Sequence, residues 1–325
     1  MDTADDNLTT STTTLDNIYW SSDEYSEINN VLDNIQKMSI TLYSIVFILG
    51  IIGNGLVIWI AGFRMKKTIS AVWFLNLAIA DFLCCASLPL RIAEWATYFS
   101  YDSETGYFIV NMFLFTVNMS ASVLLLTAMS IDRWVSVMWP FWAKVHRTRK
   151  LVRITAAIIW GLSLVVTCLL GDIIFLYNRE LNQPIHLIRF VIMFVIPFLI
   201  IFTTYVSIFY KLRKGMRSQR SQRSSRTITA VILCFFICWF PYYICPLIPW
   251  YYVDYILILI LYTIITSLAY LNSCMNPIIY VFMGQAFQQC FFRSIPSRLE
   301  KALAEPPNDL CREREDVGNT RITEV

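Results

Sequence analysis

The chain has 325 residues, of which 57% are hydrophobic and 15% charged, and its mean hydropathy is +0.55. Soluble domains are nearer half apolar and a quarter charged, so this composition excludes a disordered chain and an ordinary soluble enzyme and indicates a membrane protein. The net charge of only +3 argues against a nucleic-acid partner. Nine cysteines that lie mostly in apolar stretches, with only two histidines, argue against a metal site.

The first 38 residues form an acidic segment with eight acids and one base, Lys37. The segment lacks the basic start and short apolar run of a cleavable signal peptide, so we expect the first apolar stretch to act as an uncleaved signal anchor. Asn7-Leu-Thr9 is a glycosylation acceptor, and Tyr19 and Tyr25 lie among acids, in a context suited to sulfation. Such an arm would attract a basic protein ligand, although a solvated tail explains the same composition.

Seven apolar stretches are each long enough to cross a bilayer as a helix of about 20 residues. They lie near 39–63, 70–97, 105–138, 150–172, 185–213, 224–250 and 254–282. Strand-like alternation does not recur, so we predict an all-α membrane protein, a seven-transmembrane helix bundle with a short cytoplasmic amphipathic helix. The expected parts are an acidic tail at 1–38, the bundle at 39–282, the amphipathic helix at 283–303 and a second tail at 304–325.

The charged residues between the stretches orient the chain. Basic residues gather after the first, third and fifth stretches, for example at Lys66, Arg147 and Arg213, whereas the alternate connections hold acids such as Asp102 and Asp254. The positive-inside rule places the basic connections in the cytoplasm. We therefore predict a multi-pass membrane protein with its N-terminus outside and its C-terminus inside.

Polar residues at membrane depth are costly, and so they mark candidate sites. Asp81 lies near the middle of the second stretch, and other stretches place amides and hydroxyls at similar depth, namely Asn118, Ser122, Asn272 and Asn276. A carboxylate beside such oxygens suits a hydrated cation. A purely structural hydrogen-bonded network explains the same residues equally well.

Prolines occur within the last three stretches, at Pro197, Pro241 and Pro277. A proline bends a helix and leaves a backbone carbonyl without its usual donor. In a membrane that carbonyl needs a partner from a neighbouring helix or from water. The prolines are therefore consistent with a packed bundle that has internal polar sites, and equally with tolerated kinks.

Charged residues also lie at the ends of the stretches. Asp132 and Arg133, at the inner end of the third, can pair, and their separation would free a cationic donor, so they form a candidate two-state latch. Near the outer side, Arg91 and Glu94 are one helical turn apart and can neutralise each other. Arg189 has no partner at helical spacing on its own stretch, so it is expected to hold an anionic ligand group or to pair with Asp172 or Glu94.

The end of the chain carries two further signals. Residues 283–303 have the amphipathic pattern of a helix lying on membrane lipid, with Cys290 as a palmitoylation candidate. The last residues, Thr323-Glu-Val325, suit the groove of a PDZ-domain protein. Both signals place the end of the chain at the cytoplasmic face.

Seven short motifs occur in order on the expected helices. They are Gly53-Asn54, Leu77-Ala-Ile-Ala-Asp81, Asp132-Arg133-Trp134, Trp160, Pro197 with Tyr205, Cys238-Trp239-Phe240-Pro241 and Asn276-Pro277-Ile278-Ile279-Tyr280. With them, nearly the whole chain resembles the rhodopsin-like (class A) G-protein-coupled receptors. Trp142-Ala-Lys-Val-His-Arg-Thr148 and the stretch from Asn272 to Gln285 are similar to the peptide chemoattractant branch, which contains formyl-peptide, chemerin-like and complement anaphylatoxin receptors.

The resemblance implies three functional sites. The ligand pocket would include Arg189, Arg91, Glu94, Thr116 and Trp239. An allosteric sodium pocket that favours the inactive state would use Asp81, Asn118, Ser122, Asn272 and Asn276. The switch that meets the G protein would use Asp132, Arg133, Tyr205, Tyr280 and Pro277.

The resemblance also implies a function. The chain would be a cell-surface receptor for a chemoattractant peptide or small protein, and would signal through a Gi-type G protein to chemotaxis and to calcium and cAMP responses, with arrestin as a further partner. It implies no enzyme activity and no cofactor other than the sodium ion. The main alternative is a decoy receptor that binds the same ligands without G-protein coupling. A transporter or channel is disfavoured because no internal repeat is evident.

Three positions depart from the family pattern. The outer end of the third helix usually carries a cysteine that is disulfide-bonded to the following outer loop, but here it holds Phe108, and residues 173–190 contain no cysteine. The acid that formyl-peptide receptors direct into the pocket is replaced by Thr116, which argues against formylated peptides as ligands. Trp134 replaces the usual tyrosine after the Asp-Arg pair.

Overall fold

The computed structural model describes residues 22–64, 68–97, 105–170, 182–213, 219–248 and 253–283. The helices in these ranges are α1 (Ser22–Trp59), α2 (Ile69–Ala96), α3 (Thr105–Met138), α4 (Pro140–His146), α5 (Arg149–Leu170), α6 (Asn182–Phe190), α7 (Ile196–Arg213), α8 (Gln219–Ile244) and α9 (Tyr255–Met283). Five-residue π-turns follow α1, at Ile60–Arg64, and join α6 to α7, at Val191–Val195.

Seven helical segments within these ranges are long and apolar enough to cross a membrane. They correspond to α1, α2, α3, α5, the continuous segment α6–α7, α8 and α9, while α4 is a short helix between the third and fourth spans. The predicted seven-transmembrane bundle is therefore confirmed. The predicted amphipathic helix at 283–303 lies almost wholly outside the described residues.

Helix α1 starts much earlier than the apolar pattern indicates, at Ser22 rather than near residue 39. Ile28, Leu32 and Ile35 are at helical spacing and are shielded from solvent to differing degrees, with Ile35 fully buried. The Gln36 amide nitrogen donates to the Trp95 carbonyl at 2.6 Å, at the end of α2. These contacts let the helix continue above the membrane, where interspersed polar residues hide its pattern from a hydropathy window.

Two of the predicted proline sites have their freed carbonyls satisfied by neighbouring helices. Pro277 cannot donate to Ser273 O, and the Asn54 amide nitrogen donates to that oxygen instead, at 2.9 Å. Similarly, the Met193 carbonyl four residues before Pro197 accepts from the Tyr243 hydroxyl at 3.5 Å. The bundle thus replaces main-chain bonds with bonds between helices, as the membrane requires.

Close packing of α1 against α2 and α9 depends on two glycines. A Cβ on Gly50 would collide with the Cys85 side chain, and one on Gly53 would lie 3.0 Å from the Pro277 ring. Because these helices approach so closely, Asn54 on α1 reaches the backbone of α9 in the middle of the bundle.

Candidate functional site

A cavity of about 430 Å³ lies among α2, α3, α6, α8 and α9, at the end of the bundle that the charge pattern predicts to be the outer end. Its basic lining residues are Arg91, His186 and Arg189, and none of the described lining residues is acidic. Most of the remaining wall is aromatic or aliphatic. The cavity therefore combines positive charge with an apolar surface.

The Arg91 side chain is buried at the α2 wall of this cavity. Its Nη1 atom is 2.5 Å from Glu94 Oε1, and its guanidinium lies 5.9 Å from the centre of the Tyr43 ring and 6.0 Å from that of Tyr262. The predicted neutralisation of Arg91 by Glu94 is therefore present. Glu94 holds Arg91 in place, but it is not among the residues that line the cavity.

Arg189 is also buried in the cavity wall, and its surroundings differ from the expectation that it has no partner on its own helix. Its Nη2 atom is 3.2 Å from His186 Nδ1, one helical turn earlier, and its guanidinium lies 5.6 Å from the centre of the Tyr242 ring. Sequence reasoning missed His186 because it considered only acids as partners for an arginine. Asp172, one of the acids considered as a partner, lies outside the described residues.

The other two expected pocket residues, Thr116 and Trp239, do not line the cavity. The Thr116 hydroxyl donates to the Met112 carbonyl of its own helix at 2.9 Å, and its side chain is buried. Trp239 lies beneath the floor, with its ring 5.1 Å from that of Phe115, which does line the cavity. Contact between a bound ligand and Trp239 would therefore pass through Phe115.

Phe108, at the position of the missing outer cysteine, lines the cavity mouth. The seven cysteines within the described ranges are all free thiols. An aromatic ring therefore contributes to the cavity where the resemblance would have placed one end of a disulfide bond.

Residues predicted to form the sodium pocket lie deeper in the bundle. Asp81 is completely buried, and its Oδ2 atom accepts from the Asn276 amide nitrogen at 2.7 Å. Asn118 accepts from the Ser122 hydroxyl and donates to the Ser273 hydroxyl, both at 3.3 Å. Residues from α2, α3 and α9 therefore meet around one carboxylate.

Several oxygens of this pocket have no hydrogen-bond partner among the described residues. They are the Oδ1 atoms of Asp81, Asn272 and Asn276, all buried, together with the Oδ1 atom of Asn54 nearby. Buried oxygens without donors are costly, and a small hard cation takes such oxygens as ligands. The donor set of this pocket therefore fits sodium.

At the inner end, Asp132 is held by residues other than its neighbour in sequence. Arg147, just after α4, donates through Nε and Nη2 to the two carboxylate oxygens at 2.6 and 2.5 Å. The Trp73 ring nitrogen of α2 also donates to Asp132, at 3.3 Å. Arg133 in turn donates to the Ser70 hydroxyl at 3.0 Å. Arg147 thus pairs with the carboxylate for which the sequence predicted Arg133 as the partner.

The two switch tyrosines lie on α7 and α9. Tyr280 is buried, with its ring 4.7 Å from that of Phe74, and Tyr205 packs against the buried core. Pro277 packs against α1 through Gly53. Sequence reasoning found these positions from motifs, but it missed Arg147 and Trp73, whose roles depend on which elements meet in space.

Several residues that the sequence predicts to be modified or bound by partners cannot be placed in the structure. Asn7, Tyr19, Cys290 and the last residues, Thr323-Glu-Val325, lie outside the described residues. For Tyr25 only the backbone is described, as part of α1.

Comparison with known proteins agrees with the motifs and the fold. Residues 53–280 match the 7 transmembrane receptor (rhodopsin family). The formyl peptide receptor 2 of Mus musculus is 36% identical over 303 residues, covering 82% of this chain and 86% of that protein. The C3a anaphylatoxin chemotactic receptor of Danio rerio is 34% identical over 296 residues, covering 86% and 81%. The chemerin-like receptor 1 of Sus scrofa is 36% identical over 299 residues, covering 82% of each.

These relatives are receptors rather than enzymes, and they cover most of the bundle and its motifs. The chain therefore belongs to the rhodopsin family of seven-transmembrane, G-protein-coupled receptors, within the chemoattractant branch.

Proposed function

We propose that this plasma-membrane receptor binds the carboxyl end of an extracellular chemoattractant peptide or small protein and signals through a Gi-type G protein. The observation that carries this proposal is the outer cavity, whose described lining has two arginines and no acid. A buried guanidinium in a largely apolar cavity wall favours an anionic ligand group. The apolar remainder of the wall favours a ligand whose terminal side chains are hydrophobic.

Arg189 is the proposed anchor for the ligand carboxylate. Its planar guanidinium can hold a carboxylate through two parallel hydrogen bonds. His186 is a weaker partner than an ionised carboxylate, so a ligand can displace it at modest cost. Arg91 is the second positive charge, but Glu94 already engages it, and we assign it a supporting role.

Ligand binding would reach the inner end through the packed aromatic side chains of α3 and α8. Phe115 contacts the cavity above and the Trp239 ring below, and Trp239 lies two residues before Pro241 on α8. A displaced Phe115 ring would press on Trp239 and change the bend of α8. Movement at the inner end would then expose Arg133 to the G protein, with Tyr205 and Tyr280 reorganising around it.

The buried pocket is the proposed site of an allosteric sodium ion. Asp81, Asn118, Ser122, Asn272 and Asn276 would hold it, and Ser273 joins them in the structure. A bound cation would supply charge neutralisation for the Asp81 carboxylate. Because these residues come from α2, α3 and α9, this pocket would favour the closely packed, inactive arrangement.

The remaining modifications and partners are proposed from the sequence alone. We propose an N-terminus outside the cell, with glycosylation at Asn7 and sulfation at Tyr19 and Tyr25. Inside the cell, we propose arrestin binding, lipid contact aided by palmitoylation at Cys290, and a PDZ-domain protein at the C-terminus.

The test measures pertussis-toxin-sensitive inhibition of cAMP in cells that express the receptor at the surface. Amidated and free-acid forms of chemerin-type, anaphylatoxin-type and formylated peptides are compared. We expect a free-acid peptide to be active, its amide to be much weaker, and both Arg189→Ala and Arg133→Ala to abolish the response. Arg153→Ala, an exposed cytoplasmic arginine, is the matched control and should respond normally.

Ligand binding and G-protein signalling are separate steps of the proposal, and the two variants distinguish them. Arg133→Ala should still bind labelled peptide, whereas Arg189→Ala should not. Ligand uptake without any cAMP change in a well-expressed receptor would show a decoy receptor and contradict Gi coupling. Equal potency of acid and amide peptides would contradict the anchoring role of Arg189.

A further inference from the structure

A second cavity, of about 340 Å³, lies at the inner end of the bundle and is lined by Val135, Trp139 and Trp142. We propose that this groove binds one acyl chain of an anionic inner-leaflet phospholipid, whose phosphate is held by Lys211. The ligand pocket, the sodium pocket and the Asp-Arg switch do not use these residues. The inference therefore concerns a separate site.

The groove lies at the depth where lipid chains meet their headgroups. The third span ends at Met138 and the fifth at Lys211, so the groove lies where these spans end, on the side that the basic connections predict to be cytoplasmic. Tryptophan is favoured at this boundary because its ring is apolar while its N–H is polar. An occupant at this depth has to be apolar toward the bilayer and polar toward the cytoplasm.

The two tryptophans that form the groove are held in place by aromatic neighbours. The Trp139 ring packs edge-on against Trp134 with ring centres 4.9 Å apart, and the Trp142 ring stacks on His146 at 4.7 Å. Both tryptophans are nevertheless 52% exposed. Fixed, half-exposed rings give the groove a defined shape. Such a shape favours a specifically bound lipid over the unordered lipid that surrounds any membrane protein.

The charge beside the groove selects an anionic headgroup. Lys211 Nζ donates to the Met138 carbonyl at 2.8 Å, which places this ammonium group next to Trp139 in the chain. Lys211 is exposed and makes no ion pair with any described carboxylate, so it retains donors for a further acceptor. The sequence also has no Asp or Glu between Asp132 and Asp172 to compete for a cation.

A phospholipid fits these features better than a soluble anion does. Free phosphate would use Lys211 but leave the apolar groove empty, whereas a neutral lipid would fill the groove without using the charge. One basic residue near an anionic leaflet is worth about 1 kcal/mol, which corresponds to about a fivefold preference.

Native mass spectrometry of the purified receptor tests the site, with equal amounts of phosphatidylserine and phosphatidylcholine as probes. We expect the wild type to retain phosphatidylserine preferentially and Lys211→Gln to reduce that preference about fivefold. Val135→Trp fills the groove and should reduce retention of both lipids. Lys150→Gln and Phe141→Ala, an exposed lysine and a ring that is 88% exposed outside the groove, are the controls and should behave like wild type.

A second measurement avoids dependence on the folding of the Val135→Trp variant. Phosphatidylserine with brominated acyl chains should quench tryptophan fluorescence more than brominated phosphatidylcholine does, and Trp139→Phe together with Trp142→Phe should remove the excess. Equal effects of Lys150→Gln and Lys211→Gln would show diffuse charge attraction and overturn the proposal. Unchanged lipid retention in Val135→Trp combined with weaker binding of purified Gi would assign the groove to the G protein instead. The lipid assays use neither agonist nor G protein, so their outcome is independent of the proposed signalling function.

Discussion

At the inner end of the bundle, the Asp132 carboxylate accepts hydrogen bonds from two elements other than its own. Arg147 supplies two of them, and the Trp73 ring nitrogen supplies a third. The Asp132 and Arg147 side chains are only 11% and 23% exposed, so solvent screens this ion pair less than an ordinary surface pair. The pair therefore ties the segment after α4 to the inner end of α3, beside the arginine that is proposed to meet the G protein.

Replacement of Arg147 by glutamine should therefore lower the stability of the purified receptor. We expect a loss of about 1–3 kcal/mol, because a partly buried carboxylate loses both of its charged donors. Thermal unfolding of Arg147→Gln, Asp132→Asn and the double variant measures the coupling between the two residues. Lys150→Gln, an exposed cation on α5, is the matched control. Additive losses in the double variant would show that Asp132 and Arg147 are not energetically coupled, which would contradict the stabilising role of this ion pair.

Close approach of whole helices is controlled by Gly50 on α1. A methyl group there would overlap the Cys85 sulfur and lie 3.3 Å from the Cys274 sulfur, whereas nothing lies within 4 Å of a methyl group added at Gly161 on α5. We expect Gly50→Ala to cost about 1–3 kcal/mol because α1 must move away from α2. Gly161→Ala should be neutral or stabilising by up to about 1 kcal/mol, since alanine favours helix. Thermal unfolding in detergent compares the two, and equal stability would show that the α1–α2 packing is loose.

The bend of α9 at Pro277 is coupled to α1 through one hydrogen bond. Asn54 donates to the Ser273 carbonyl, which Pro277 leaves without its helical donor. Asn54→Ala should therefore destabilise the receptor by about 1–3 kcal/mol, because a buried carbonyl loses its partner. Pro277→Ala restores a main-chain N–H, so the same Asn54 substitution should cost less in that background. A cost that is unchanged by Pro277→Ala in thermal unfolding would contradict this coupling.

Across the whole molecule, local hydropathy and short motifs were sufficient to predict the architecture and many of the site positions. Asp81, Asn118, Asn276 and Trp239 are identifiable because membrane depth makes polar residues conspicuous and because the motifs are continuous in sequence. Arg147 could not be assigned to Asp132 in this way, since their contact depends on how the chain turns between α3 and α5. The early start of α1 was missed for a related reason, because the hydrogen bond that stabilises it runs from the Gln36 amide nitrogen to the Trp95 carbonyl of α2, which is distant in sequence.

The proposed sodium pocket would couple the middle of the molecule thermodynamically to its inner end. Asp81 on α2 and Asn272 and Asn276 on α9 each have a buried oxygen without a hydrogen-bond partner among the described residues, and a cation held by them would favour the packed arrangement. Sodium chloride should then raise the melting temperature of the receptor relative to choline chloride. At a sodium concentration about five times its Kd, the expected stabilisation is about 1 kcal/mol. Asp81→Asn should remove this difference, while Ser163→Ala, a buried hydroxyl on α5 that bonds only within its own helix, should preserve it.

Linkage extends this argument to the G protein. If sodium disfavours the G-protein-bound arrangement by some factor, bound G protein must weaken sodium binding by the same factor. Sodium should therefore lower basal nucleotide exchange on purified Gi in the presence of wild-type receptor, and have no such effect with Asp81→Asn. The sodium Kd, measured from the melting temperatures with and without nucleotide-free Gi, should shift by the reciprocal amount. If sodium stabilises the receptor equally with and without bound Gi, the pocket is occupied but is not coupled to the inner switch.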